Sequence, residues 1–103
     1  MKARRCDRNH VVYLMMNKIT GDSYVGVTAV GGGIRATLKE RFRRHLSRAL
    51  HEEKDWKMHV VLRQYPDPEM WTKEVLDRVR GRKPAHQRER ELTRELNPTL
   101  NTF

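Results

Sequence analysis

The run Val11-Val12-Tyr13-Leu14-Met15-Met16 is apolar and β-prone, and a turn follows it at once. Such a run reads as a buried strand. Lys18-Ile19-Thr20-Gly21-Asp22 supplies turn residues, with Gly21 able to take a positive φ. Ser23-Tyr24-Val25-Gly26-Val27 is a second short strand, and two strands around a short Gly-containing loop make a hairpin. The rest of a 103-residue chain, enough for one domain but not two, must be built around that hairpin.

Downstream, Gly31-Gly32-Gly33 breaks the pattern and a helix follows. Thr37 and Glu40 have capping-box spacing, which places the helix start there. Leu38, Phe42, Leu46, Ala49 and Leu50 recur at helical spacing and mark its buried face. Trp56, His59, Val60 and Arg63 fall on a second, shorter helical pattern that Pro66 and Pro68 end. Met70 to Val79 reads as a third strand. Pro84 suits the first turn of a last helix running to about Leu96, which Asn97-Pro98 stops. The predicted order is β-β-α-α-β-α: an α+β domain, residues 11–103, with a small three-stranded antiparallel sheet and flanking helices. Residues 1–10 read as a basic N-terminal segment.

Charge points to the partner. Lys and Arg number 22 against 13 Asp and Glu, a net charge of +9. The basic residues recur at 2–8, 35–48, 78–83 and 88–94. An amphipathic membrane helix would concentrate them in one segment, whereas this spread suits a groove for nucleic acid. No apolar run approaches the roughly 18 residues of a membrane span, and the N-terminus lacks the apolar stretch of a secretory signal. The single cysteine, Cys6, cannot form an internal disulfide, which fits a reducing, cytoplasmic compartment. One cysteine and the scattered His10, His45, His51, His59 and His86 give no zinc-finger spacing.

Some residues resist a purely structural reading. Glu89 shares a helical face with Ala85, Leu92 and Leu96; a carboxylate there needs either an arginine partner or a metal. Glu91 and Glu95 read as solvated helix charges. Arg41 and His45 are four apart beside the Leu38–Phe42 stripe, with Arg43, Arg44 and Arg48 making the helix strongly basic. That pair suits either a phosphate site or a basic DNA-facing surface without chemistry. Tyr13 and Tyr24 share a sheet surface if the hairpin register cooperates. Gly26 either allows a close approach to the backbone or marks a bulge.

Taken in order, these residues resemble the GIY-YIG nuclease family. Its pattern is a strand ending in Tyr, about ten residues, then Tyr-Val/Ile-Gly, a helix with an arginine, a later helix with a glutamate, and a terminal asparagine. This chain has Val11-Val12-Tyr13 and Tyr24-Val25-Gly26. Its Arg41-Phe42-Arg43-Arg44-His45 is similar to the Arg-Trp-x-x-His run of phage homing members. Glu89, Leu92, Leu96, Asn97-Pro98 and Asn101 resemble the family's closing pattern. The likeness spans residues 11 to 101. Val-Val-Tyr lacks the family's glycine, and Thr93 stands where an apolar residue is common. A long stretch between Gly26 and Arg41 brings Arg35 into contention as the functional arginine; Arg41 is preferred because its spacing to His45 matches.

The resemblance implies the GIY-YIG fold and metal-dependent hydrolysis of DNA phosphodiesters by a free-standing phage homing-type or DNA-degrading endonuclease, in the host cytoplasm if phage-encoded. Glu89 would hold one Mg²⁺ or Mn²⁺, Arg41 the scissile phosphate. Tyr13 would be the general base, helped by Arg41, the metal and Lys18. Tyr24 would orient water or phosphate, His45 would hydrogen-bond into the cluster, and Asn101 would pin the chain end near it. Gly26, Arg35, Arg43, Arg44 and Arg48 are expected against DNA. Binding would rest mainly on phosphate contacts, with specificity low or supplied by a homodimer or a separate partner. A catalytically silent binding module of the same fold, and a basic structural protein of a ribonucleoprotein, are the alternatives.

Overall fold

The computed structural model describes residues 8–52 and 56–101. Cys6 and the basic residues before Arg8 lie outside the described residues. The elements run β1 (Asn9–Asn17), β2 (Ser23–Ala29), α1 (Ile34–His51), α2 (Lys57–Gln64), a 3-10 turn (Pro68–Met70), β3 (Trp71–Arg80) and α3 (Arg82–Leu96). Apart from the 3-10 turn, this is the order read from the sequence. Among the described residues no helix is long and apolar enough to cross a membrane.

The sheet is antiparallel in the order β2-β1-β3, so the most apolar strand takes the centre. Alternation along β1 sends its side chains to two faces. Val11, Tyr13 and Met15 face α1 and α2, packing with Leu38, Phe42, Ala49, Met58 and Leu62. Val12 turns the other way and packs with Val25 of β2 and Leu92 of α3. The domain is therefore three layers, α1 and α2 on one side of the sheet and α3 on the other. Arg88 Nε on α3 donates to Asp77 Oδ2 on β3 at 2.8 Å, which fixes α3 to its face.

The hairpin loop closes locally. Asn17 Oδ1 accepts from the amides of Ile19 and Thr20, and Gly21 takes φ 77°, as expected. Tyr13 pairs with Gly26 and Met15 with Tyr24, so both tyrosines share one face. On its other side β1 shifts register: Val12 pairs with Asp77 but Tyr13 with Val75, leaving Leu76 as the extra residue of a bulge. Bulges re-aim side chains and favour the neighbourhood of functional sites.

Three expectations are corrected. The Thr37–Glu40 capping box does not form, because α1 begins a turn earlier, at Ile34, which packs against the core. Thr37 Oγ1 instead donates to the Gly33 carbonyl, and Glu40 is taken by Arg43 at 2.7 Å. Leu50 and Leu96 are not core; they are 56% and 45% exposed. In α2 the buried face is Met58, His59 and Leu62, while Trp56 precedes the helix and Val60 points outward.

Candidate active site

β2 is an edge strand, and the two helical layers meet around its open side. Arg41, His45 and Arg48 lie at i, i+4 and i+7 of α1, one face of the helix. Glu89 comes from α3 in the opposite layer. With Tyr24 and Asn101 they line one cavity of about 270 Å³, completed by Trp56, Met58, His59 and Leu100. Tyr13 lies behind this lining, buried and hydrogen-bonded to Arg41 and His45, with its ring 6.4 Å from that of Tyr24.

A hydrogen-bonded chain runs through the cavity. Arg41 Nε donates to the Tyr13 hydroxyl at 3.3 Å, and that hydroxyl lies 3.1 Å from His45 Nε2. In the Nδ1–H tautomer of a neutral imidazole, Tyr13 donates to Nε2. Neutral is the expected state: burial, then Arg41, Arg48 and His59, pushes His45 down to about 3. Burial also raises Tyr13 well above the ordinary phenol value, with Arg41 opposing. Tyr24, edge-on to His45 at 5.4 Å, is raised by burial and by Glu89.

Glu89 is half-buried, and burial raises its carboxyl above the usual range despite His86, Arg90 and Arg41. Among the described residues the charge partner within salt-bridge distance of its carboxylate is His86, 3.9 Å away, rather than an arginine. Thr93 explains how a polar residue sits in the buried face of α3: its hydroxyl donates to the Glu89 carbonyl at 2.7 Å. Among the described residues no carboxylate lies within salt-bridge distance of Arg41 or Arg48. The cavity thus offers two available guanidiniums facing one strained carboxylate.

Asn101 reaches β2 from the chain end. Its Oδ1 accepts from the Val25 amide and its Nδ2 donates to the Val25 carbonyl, both at 2.8 Å. Leu100 N donates to the Ser23 carbonyl and Thr99 Oγ1 accepts from Ser23 N, so residues 99–101 seal the strand edge beside Tyr24. Val25 is fully buried, so Asn101→Ala leaves two backbone groups without partners. The expected loss is about 2–3 kcal/mol by denaturant titration; a change below about 0.5 kcal/mol would contradict this role.

Other candidates lie elsewhere. Arg35 and Arg43 line a different, apolar-floored groove with Phe42, Leu46 and Lys73, so helical phase places Arg41 and not Arg35 in the cavity. Arg44 joins Arg8, Arg41, Gly31 and Gly32 in an adjoining groove of about 430 Å³. What approaches Gly26 is Tyr13: a Cβ there would stand 2.5 Å from the phenol oxygen. Gly26 serves the site by making room for that ring. Lys18 neither lines the cavity nor bears on Tyr13; its charge bears on Lys73 of β3. Sequence reasoning missed Met58, His59, Leu100 and the location of Trp56, because only tertiary packing carries α2 and the chain end to this cavity.

No family model and no curated protein matches the sequence. A solved structure does match: the catalytic domain of homing endonuclease I-TevI aligns with a TM-score of 0.65, covering 91% of this chain and 95% of that one, at 16% identity. The chain has the GIY-YIG fold. On this GIY-YIG scaffold the two tyrosines, Arg41, His45, Glu89 and Asn101 converge although they come from β1, β2, α1, α3 and the chain end.

His45 makes the stability of the domain pH-dependent. With a folded value of about 3 against about 6.5 unfolded, it contributes no difference above pH 6.5, where both states are neutral. Below that, the unfolded chain takes up a proton that the folded chain refuses. By pH 4.5 the cost approaches about 3 kcal/mol. His45→Gln removes this titration, so the gap between its Tm and that of the parent should narrow as pH falls from 7 to 4.5. A gap independent of pH would refute the assignment.

Proposed function

We propose that this chain is a divalent-metal-dependent endonuclease that hydrolyses DNA phosphodiester bonds. The observation that carries the reading is the pairing of a burial-strained Glu89 with the Arg41–Tyr13–His45 chain across one small cavity. The match to the catalytic domain of a homing endonuclease supports it.

The donor set fits a hard cation of the Mg²⁺ type. Among the described residues Glu89 is the one carboxylate lining the cavity, and no group of three His, Cys, Asp or Glu forms a closed cage. Mg²⁺ is held by one or two carboxylates together with substrate phosphate and water. Glu89, whose charge is under-compensated, would hold the ion and be relieved by it. When bound, the ion would supply charge stabilisation to the phosphate and the leaving oxygen.

The protein's own groups supply the rest. Arg41 and Arg48 hold the scissile phosphate and the charge that develops on it. Tyr13 accepts a proton from the attacking water at Oη while passing its own to His45 Nε2. His45 is a poor acceptor in the free chain, partly because Arg41 and Arg48 face it. A phosphate pairing with those arginines cancels their effect and raises the basicity of His45, so substrate itself readies the relay. Tyr24 orients the water or the phosphate. Arg44 and Arg8, in the adjoining groove that shares Arg41, contact the next phosphates.

Supercoiled plasmid in low salt with Mg²⁺ or Mn²⁺ tests this reading. Nicks or breaks should form, vanish with EDTA, and fall at least about 100-fold in Tyr13→Phe. That variant keeps the ring that fills the space over Gly26, so its Tm should stay near the parent's. Tight mobility-shift binding without cleavage in any metal would favour a silent binding module.

A further inference from the structure

We infer that Trp56 is a stacking platform for a nucleobase turned out of the duplex beside the scissile phosphate, which directs the site to DNA that is locally unpaired. The inference rests on the nuclease reading for its placement of phosphate at Arg41 and Arg48.

The two tryptophans of the chain have different surroundings. Trp71 is buried, its Nε1 donates to the Tyr65 carbonyl at 2.8 Å, and its ring packs on Phe42. Trp56 is 50% exposed. It occupies the N-cap of α2, where Ser, Thr, Asp or Asn would satisfy a helix amide, and it makes no side-chain cap hydrogen bond. Helix formation therefore does not call for an indole here. One scattered exposed apolar residue needs no explanation, but this one lines the cavity that holds Tyr24, Arg41, Arg48 and Glu89.

The ring is also held in position. It lies against His59, with centroids 5.1 Å apart and planes tilted 39°, and His59 is itself buried. The indole is thus steadied by protein while half of its surface stays exposed, which lowers the ordering cost of binding a flat ligand there. The cavity, about 270 Å³, accommodates a phosphate and its neighbouring groups but not a duplex. A nucleotide whose phosphate sits between Arg41 and Arg48 brings its own or the adjacent base to the cavity's rim. Aromatic stacking of this kind tolerates any base, because every base has a π-face. Unstacking is costly in matched duplex and cheapest at a mismatch, a junction or a single strand. Preference follows from the state of the DNA rather than from its sequence.

Tryptophan emission measures the contact directly. In EDTA, where DNA is held but not cut, a short single-stranded oligothymidylate should quench the emission of the parent chain. A matched duplex of the same length should quench it less. Trp56→Phe should abolish the response, assigning it to this residue and not to Trp71. By fluorescence anisotropy, Trp56→Ala should weaken single-strand binding about 10-fold and duplex binding less than about 2-fold, with Trp56→Phe restoring most of the loss. Equal losses on both DNAs, or single-strand binding unchanged in Trp56→Ala, would overturn the proposal. Cleavage by the parent with no quenching would overturn it and leave the nuclease reading intact. Quenching without cleavage in any metal would sustain the platform and overturn the nuclease reading alone.

Discussion

Glu89→Gln is expected to lower cleavage by about 1,000-fold or more while leaving the chain folded and its DNA affinity equal or higher. Glutamine matches the shape of glutamate but cannot supply the charge that a hard cation requires. Affinity should not suffer, because a negative group is removed from a cavity proposed to take DNA phosphate. Stability gives an independent sign. Burial raises Glu89 above its unfolded value, so its protonated form favours folding. That contribution is present below the unfolded carboxyl value near pH 4 and is lost as pH rises through the folded value. At pH 7 the ionised Glu89 opposes folding, and the glutamine variant should melt higher than the parent. Near pH 4 the two Tm values should converge. Plasmid cleavage and melting curves at the two pH values decide both points. A glutamine variant that cleaves like the parent would remove Glu89 from the mechanism.

Gly26→Ala is the second large effect, and it acts through space rather than charge. The added Cβ would stand 2.5 Å from Tyr13 Oη, 2.6 Å from its Cζ and 2.8 Å from Tyr24 Cε1. A flexible side-chain end could swing away, but Tyr13 is buried and tied to Arg41 and His45. Overpacking of this kind costs about 3 kcal/mol, which for a domain of this size is a fall of roughly 12–24 °C in Tm. Cleavage should fail with it, since displacing the phenol breaks both of its hydrogen bonds. A double-mutant cycle identifies the cause. In Gly26→Ala/Tyr13→Ala the two contacts with Tyr13 are gone and only that with Tyr24 Cε1 remains, so the combined loss should be smaller than the sum of the single losses by at least about 1 kcal/mol. Strict additivity would show that Gly26 matters for some reason other than Tyr13.

Much of this site is local enough to be read from the chain. The Tyr13–Tyr24 face follows from a hairpin whose register is fixed by its own loop, because Asn17 closes the turn on itself. The placement of Arg41 rather than Arg35 in the cavity follows from helical phase, since 41, 45 and 48 recur on one face. Glu89 was visible as a charge on the buried side of a helix. The errors arose where long-range terms override local ones. The Thr37–Glu40 pattern has cap spacing, but burying Ile34 extends the helix and two arginines claim Glu40. Lys18 follows β1 directly, yet its amide bonds to the Met70 carbonyl and its charge bears on Lys73, on the β3 side of the sheet and away from the β2 edge. Trp56 and His59 have no periodicity that points at a site; α2 delivers them only once it has packed beside α1.

The seal on the β2 edge has a consequence in time. Its hydrogen bonds join residues 76 or 77 apart in sequence, a long loop closure in the cavity wall. The β1–β2 hairpin can form within microseconds, whereas contacts of such separation carry the larger entropic cost. Residues 99–101 are therefore expected to dock late in folding and to release early in local opening. The Val25 amide, protected by Asn101, should exchange with solvent faster than the amides of β1 at the sheet centre. Each such opening would strip Tyr24 of its neighbouring support before the core loosens. The cavity would thus lose its geometry through small fluctuations and regain it without unfolding.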